Sequence, residues 1–144
     1  MAINLSPEEI TSVFGDHDPT QHQAEAAERW GSTDAYKQSE QRTSQYSKDD
    51  WQQAQKEAEA VVNQFIVAMN AGLPASSPEA KAAAEAHRLN ISTWYYDCSH
   101  EMQTNLAEMY LADPRFTAYY DSRHEGLAQY VHDAIFANAL DIRN

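Results

Sequence analysis

The sequence predicts an all-α protein, a helical bundle preceded by a flexible helical arm. Period-2 alternation of β-branched residues is nearly absent. Ala, Glu, Gln and Leu, all good helix formers, run through the chain. The 4 Gly and 5 Pro fall where helices would start or stop. At 144 residues the chain fits one domain. A domain of that length buries about 68–70% of its unfolded surface, enough for a core without disulfide or structural metal.

Each element has a local signal. Ser6-Pro7-Glu8-Glu9 opens a short helix, with Ser6 as cap, Pro7 in the first helical position and Glu9 closing a capping box; Gly15 ends it. Asp18-Pro19 opens a second helix, which runs to Trp30 and stops at Gly31. Ser32 or Thr33 caps a third, through Tyr36 to about Ser44. Ser47-Lys48-Asp49-Asp50 opens a long fourth helix with acids in its first turn, and Gly72 with Pro74 ends it. Ser77-Pro78-Glu79 opens a fifth helical region that Asp113-Pro114 closes. A short helix is expected near residues 114–121, and a last one from about Glu125 to Ile142.

Apolar content is uneven along the chain. From Gly15 to Tyr46 there is no Leu, Ile, Val, Phe or Met; the apolar residues are Ala24, Ala26, Ala27, Trp30, Ala35, Tyr36 and Tyr46. Burial there does little to offset the entropy of ordering the backbone. Later segments carry clear helical stripes. One is Trp51, Ala54, Ala58, Val61, Val62, Phe65 and Met69. A second is Ala80, Ala84, His87, Ile91, Trp94, Cys98, Met102, Asn105 and Met109. A third is Leu127, Tyr130, Val131, Ala134, Ile135 and Asn138. The division expected is a polar, aromatic-tipped arm of marginal independent stability over residues 1–46 and a stable helical core over 47–144.

Charge and composition exclude several functions. The 10 basic residues face 22 acidic ones, a formal net charge of −12 spread over both halves. No basic face is left to grip phosphates, so this domain is expected to make no direct nucleic-acid contact. The single Cys precludes an internal disulfide and fits a reducing, cytoplasmic setting. The start Met1-Ala2-Ile3-Asn4-Leu5 lacks the pattern of a secretory signal. The stretch Val61–Met69 is far short of the ~20 residues a membrane span needs, so no membrane partner is expected.

Two sets of motifs carry a family resemblance. The arm reads Glu28-Arg29-Trp30-Gly31-Ser32-Thr33-Asp34-Ala35-Tyr36-Lys37-Gln38-Ser39. The core reads His87-Arg88, Trp94-Tyr95-Tyr96-Asp97-Cys98-Ser99-His100-Glu101-Met102, Leu106-Ala107-Glu108-Met109-Tyr110 and Asp113-Pro114-Arg115-Phe116. In order from Asn4 to Asn138, the chain resembles the thiostrepton-recognition (TipAS) domain, the effector domain of a subgroup of MerR-type regulators. The resemblance implies an all-α, globin-like fold and a non-enzymatic ligand-binding role. It implies rigid, peptide-derived thiopeptide antibiotics as ligands, with the arm closing over them as a lid. Members occur joined to a DNA-binding domain in a longer form, or as a stand-alone drug-sequestering form. The family's thiostrepton receptor captures its ligand through a Cys two turns after the position matched by Cys98. That position is Asn105 here, and an amide cannot add to a dehydroalanine as a thiolate does.

The ligand-binding residues expected are Trp30, Tyr36, His87, Ile91, Tyr95, Cys98, Met102 and Asn105. Trp30 and Tyr36 are flat rings in a polar arm, suited either to anchoring it or to stacking on heterocycles. Trp94, Tyr95 and Tyr96 point three ways around one helical turn, so not all can face a core; Tyr95 is the one assigned to a pocket wall. His87 and Cys98 lie on the apolar stripe, where a hydrogen-bonded imidazole and an inert thiol are the ordinary occupants. Asn105 and Asn138 each need a polar partner or a cavity. Asp97, His100, Glu101 and Glu108 do not reproduce the paired Glu-x-x-His of di-iron bundles, and His22, His124 and His132 have no ligand spacing. No cofactor is therefore expected. A haem or metal protein built on His87, and an interaction module whose arm folds on a protein partner, are the alternatives.

Overall fold

A computed structural model of the chain describes residues 2–15, 19 and 23–143. Every regular element among them is a helix. The elements are α1 (Pro7–Phe14), α2 (Gln23–Trp30), α3 (Asp34–Thr43), α4 (Lys48–Asn70), α5 (Pro78–Trp94), α6 (His100–Ala112), α7 (Pro114–Asp121) and α8 (Leu127–Arg143).

Most ends are set by the local signals. Ser6 accepts from the Glu9 amide at 3.1 Å while the Glu9 carboxylate accepts from the Ser6 amide at 3.0 Å, the reciprocal capping box. Thr33 caps α3, its hydroxyl accepting from Tyr36 N at 3.2 Å. Ser47 and Asp50 exchange the same pair of bonds ahead of α4, at 2.9 and 3.2 Å. Gly72 ends that helix with φ +74°, the left-handed conformation that favours glycine. Asp113 caps α7 and Pro114 occupies its first position. The expected helix start at Asp18 lies outside the described residues.

One expectation fails. The region from Ser77 to Asp113 is not a single helix but α5 and α6, broken at residues 95–99. The amides of Tyr95 and Tyr96 both donate to Ile91 O, at 2.9 and 3.2 Å, which closes α5. Ser99 then caps a new helix, its hydroxyl accepting from Met102 N at 3.1 Å. The apolar repeat across the break is coincidental in register. The face that α6 buries is Gln103, Thr104, Ala107 and Tyr110, rather than Met102, Asn105 and Met109.

Two compact units divide the chain: residues 1–57 with 90–97, and residues 58–89 with 98–144. The second holds an aliphatic core. Val62, Phe65, Ala80, Ala83, Ala84, Ala107, Leu127, Ala128, Val131, Ala134 and Ile135 form it, with Tyr110 and Tyr120. α8 presents Leu127, Val131, Ala134 and Ile135 on one stripe, all fully buried. Each large side chain there contributes about 1.5–3 kcal/mol by leaving water.

In the first unit, α1 and α2 have no buried residue, and α3 buries only Ser39 and Thr43. Its ties are polar. The Thr43 hydroxyl donates to Ser39 O at 2.6 Å and accepts from Ala2 N at 2.7 Å. Asn4 donates to Ser44 O at 2.7 Å. Gln38 accepts from Asp97 N at 2.8 Å and donates to the Asp97 carboxylate at 3.3 Å. Arg42 donates to Ser92 O at 2.9 Å and to Asp97 at 2.7 Å. α3 thus holds the C-terminal end of α5 and the turn after it through side chains 50 or more positions away.

Candidate functional site

The first unit gathers aromatic rings. Phe14 ends α1, Tyr46 precedes α4, Trp51 lies in its first turn, Trp94 ends α5 and Tyr95 follows it. Trp51 is fully buried. The rings of Phe14, Tyr46 and Tyr95 stand 5.5, 5.4 and 6.2 Å from it, the first two edge-on. Tyr46 also meets Trp94 edge-on at 5.5 Å. The Tyr46 hydroxyl donates to Trp94 O, and the Trp94 indole donates to the Glu57 carboxylate. Burial pushes the Tyr46 phenol above its usual range. Trp51 Nε1 is sealed from water and has no hydrogen-bond partner. An unmet buried donor costs about 1–3 kcal/mol.

Four of the expected ligand residues belong to this unit. Trp30 is half-buried at the end of α2, with the Arg29 guanidinium 4.4 Å over its ring. Tyr36 is half-buried in the first turn of α3; desolvation and then Glu40 raise its phenol pKa. Ile91 is half-buried and supplies the carbonyl that closes α5. Tyr95 is half-buried beside Trp51.

The other four belong to the second unit. His87 is buried, and both ring nitrogens are engaged. Gln103 Nε2 lies 2.9 Å from Nδ1 and 2.7 Å from Ala84 O, donating to both. That leaves the proton on Nε2, which donates to the Tyr110 hydroxyl at 3.1 Å. Neither nitrogen is left for a haem iron. Tyr110 in turn hydrogen-bonds Tyr120, whose phenol is pushed up by burial. Desolvation lowers the His87 pKa from 6.5 to about 4, so the ring is neutral. Cys98 precedes α6 and is buried; burial raises its thiol to about 11. Met102 is half-buried. Asn105 is exposed and not on one helical face with Cys98, because the break at 95–99 separates them. Asn138 has its polar partner, donating to Glu85 at 3.2 Å.

Periodicity missed three polar groups. Glu85 accepts from Arg88 at 2.7 and 3.0 Å, from Asn138, and meets His100 at 3.0 Å. These neighbours, Arg88 first, hold its carboxyl down at about 2. Arg88 also donates to Cys98 O at 2.8 Å, bracing the chain just before α6. Gln103 is fully buried, and its Oε1 has no partner. An apolar-stripe count passes over such residues by design; only their long-range partners mark them. Among the described residues no group of three metal-ligating side chains converges, and no helix is long and apolar enough to cross a membrane.

The described residues thus form an all-helical domain whose first unit gathers aromatic rings around Trp51. The profile of the TipAS antibiotic-recognition domain matches residues 22–138, and the chain belongs to that family. It is 52% identical over 140 residues to the HTH-type transcriptional activator TipA of Streptomyces coelicolor, covering 97% of this chain and 55% of that protein. It is 35% identical over 98 residues to the HTH-type transcriptional activator mta of Bacillus subtilis, covering 68% of this chain and 37% of that one. The chain thus spans about half the length, or less, of the curated relatives it matches. Among solved structures it is similar to TipAS of Streptomyces lividans in complex with nosiheptide, with a TM-score of 0.91 and 50% identity over 99% of this chain and 100% of that one. It is also similar to the antibiotic-binding domain of a TipA-class multidrug resistance transcriptional regulator, with a TM-score of 0.60 and 47% identity over 65% of this chain and 100% of that one. The all-α, globin-like fold implied by the sequence resemblance is the fold of this chain.

Proposed function

We propose that this chain binds rigid, largely neutral, peptide-derived antibiotics of the thiopeptide kind without chemically transforming them. It does so in the cytoplasm, as the effector domain of a MerR-type regulator or as a stand-alone form that sequesters the drug. The observation that carries this reading is the likeness, over 99% of the chain, to a domain solved with nosiheptide bound.

The physical sequence is burial of flat rings against flat rings, offset by the entropy of ordering the segment 1–46. The helices of that segment contain no fully buried aliphatic residue, which suits it to serve as a lid. Trp30, Tyr36, Ile91 and Tyr95 are its proposed contacts in the first unit, each with part of its surface accessible. In the second unit, described by itself, Met102 is half-buried and Asn105 exposed, whereas His87 and Cys98 serve the interior. In a longer form, ordering of the lid would be passed on to a DNA-binding domain. Covalent capture is not part of this reading, because position 105 is an amide and the one thiol is buried with its pKa raised.

The test is a nuclear magnetic resonance titration of the full chain with nosiheptide. Backbone signals of the first unit are expected to shift and saturate, and amide exchange in α1–α3 to slow on binding. A spectrum unchanged at saturating nosiheptide refutes antibiotic binding. Shifts without slower exchange in α1–α3 refute the lid.

A further inference from the structure

Among the described residues three rings close on Trp51: Phe14 of α1, Tyr46 ahead of α4 and Tyr95 after α5. The neighbouring polar atoms are paired, Tyr46 with Trp94 O and the Trp94 indole with Glu57. Trp51 Nε1 is the exception, fully desolvated and without an acceptor. A donor already stripped of water loses no hydration when an acceptor arrives, so the bond it forms is worth more than one made at a wet surface. A site holding such a donor also rejects an analogue of the same shape that lacks the acceptor, because the donor is then buried unmet.

For an acceptor to reach it, one ring has to withdraw. Phe14 is the ring with the weakest hold. It ends an 8-residue helix that contains no buried residue, whereas Tyr46 and Tyr95 flank the long helices α4 and α5. Two turns of helix are marginal without tertiary support. An azole nitrogen or an amide carbonyl, each at the edge of a flat unit, has the shape to take the place of the Phe14 ring and the lone pair to meet Nε1.

We propose that the Trp51 indole N–H is a specificity-determining donor, selecting flat ligands that carry an sp² nitrogen or carbonyl acceptor at the ring edge, and that Phe14 covers it until such a ligand arrives. This rests on the antibiotic-binding reading above and names the chemistry that site recognises.

The test follows the indole signals of the full chain, which has 3 Trp, during titration with nosiheptide. Trp51→Phe identifies the signal by its loss. The Trp51 indole proton is expected to move downfield as nosiheptide saturates the chain. Trp51→Phe is expected to bind roughly tenfold more weakly, the loss of one well-made hydrogen bond. Its urea midpoint without ligand should fall no further than a loss of ring volume requires, because the unmet donor is gone. An indole signal that stays in place while backbone signals titrate overturns the proposal. So does unchanged affinity of Trp51→Phe. Should the variant fail to fold, the Trp51 indole signal is assigned in the wild-type chain by elimination with Trp30→Phe and Trp94→Phe, and its shift decides. Absence of any nosiheptide binding by the wild-type chain is a different result, and it refutes the reading on which this proposal stands.

Discussion

His87 makes the stability of this protein depend on mild acid, and the size of the effect follows from where the ring sits. In the folded chain the imidazole is buried, flanked by Gln103 and Tyr110 with Tyr120 behind, and no carboxylate is hydrogen-bonded to it. Its pKa is about 4 there, against 6.5 when solvated. The fold therefore favours the neutral ring. This contribution is complete above 6.5 and is lost as pH falls from 6.5 toward about 4, because the unfolded chain takes up the proton first. Across the whole window it amounts to about 3 kcal/mol, and between about pH 7.5 and about pH 5 to about 2 kcal/mol. With a urea slope of about 1–3 kcal/mol per molar, the unfolding midpoint should drop by roughly 1 M between those two conditions. His87→Gln keeps a donor and an acceptor in the same place but cannot titrate. It should lower the midpoint at neutral pH and flatten the dependence between about pH 7.5 and about pH 5. An equally steep dependence in His87→Gln refutes the reasoning, as does an imidazole that titrates near 6.5 by proton resonance. Below about pH 4.5 a second loss should begin as Glu85, held at about 2 chiefly by Arg88, takes up its proton.

Two further predictions use other groups. Cys98 should resist iodoacetamide at neutral pH in the folded chain and react fully in urea, since burial raises its thiol to about 11; intact mass reads both, and rapid native alkylation or a thiopeptide adduct lost in Cys98→Ser contradicts it. Gly31→Ala should destabilise the chain by about 1–3 kcal/mol, because a Cβ there would stand 2.3 Å from Ala27 O; unchanged amide exchange in α2 and α3, with an unchanged melting temperature, contradicts it.

Short-range signals were reliable wherever the partner of a group lies within one helical turn. Ser6 with Glu9, Thr33 with Tyr36, Ser47 with Asp50 and Asp113 with Pro114 are all legible this way, and all mark helix starts in the structure. The stripes of α4 and α8 were legible for a similar reason: each is one uninterrupted helix, so a period of 3.6 maps onto one face. The stripe across α5 and α6 misled, and Asn105 with it, because periodicity assumes an unbroken helix. The Ser99 cap with Glu101 in the following turn was present as a signal, but the apolar repeat outweighed it.

The sequence alone therefore determined the helical class, most helix ends, the two well-formed apolar faces and the polar character of the leading segment. Those depend on propensity and on neighbours three or four residues apart. The tertiary structure alone decided where α5 stops, because Arg42 reaches its last turn from 50 positions away and joins Gln38 on Asp97 just beyond it. It alone decided that His87 is neutral, that Glu85 joins the three side chains of Arg88, His100 and Asn138, and that Trp51 and Gln103 each keep a buried polar atom unmatched. Desolvation and hydrogen bonding between distant segments have no periodic trace in a chain, since they exist only once folding has brought those segments together.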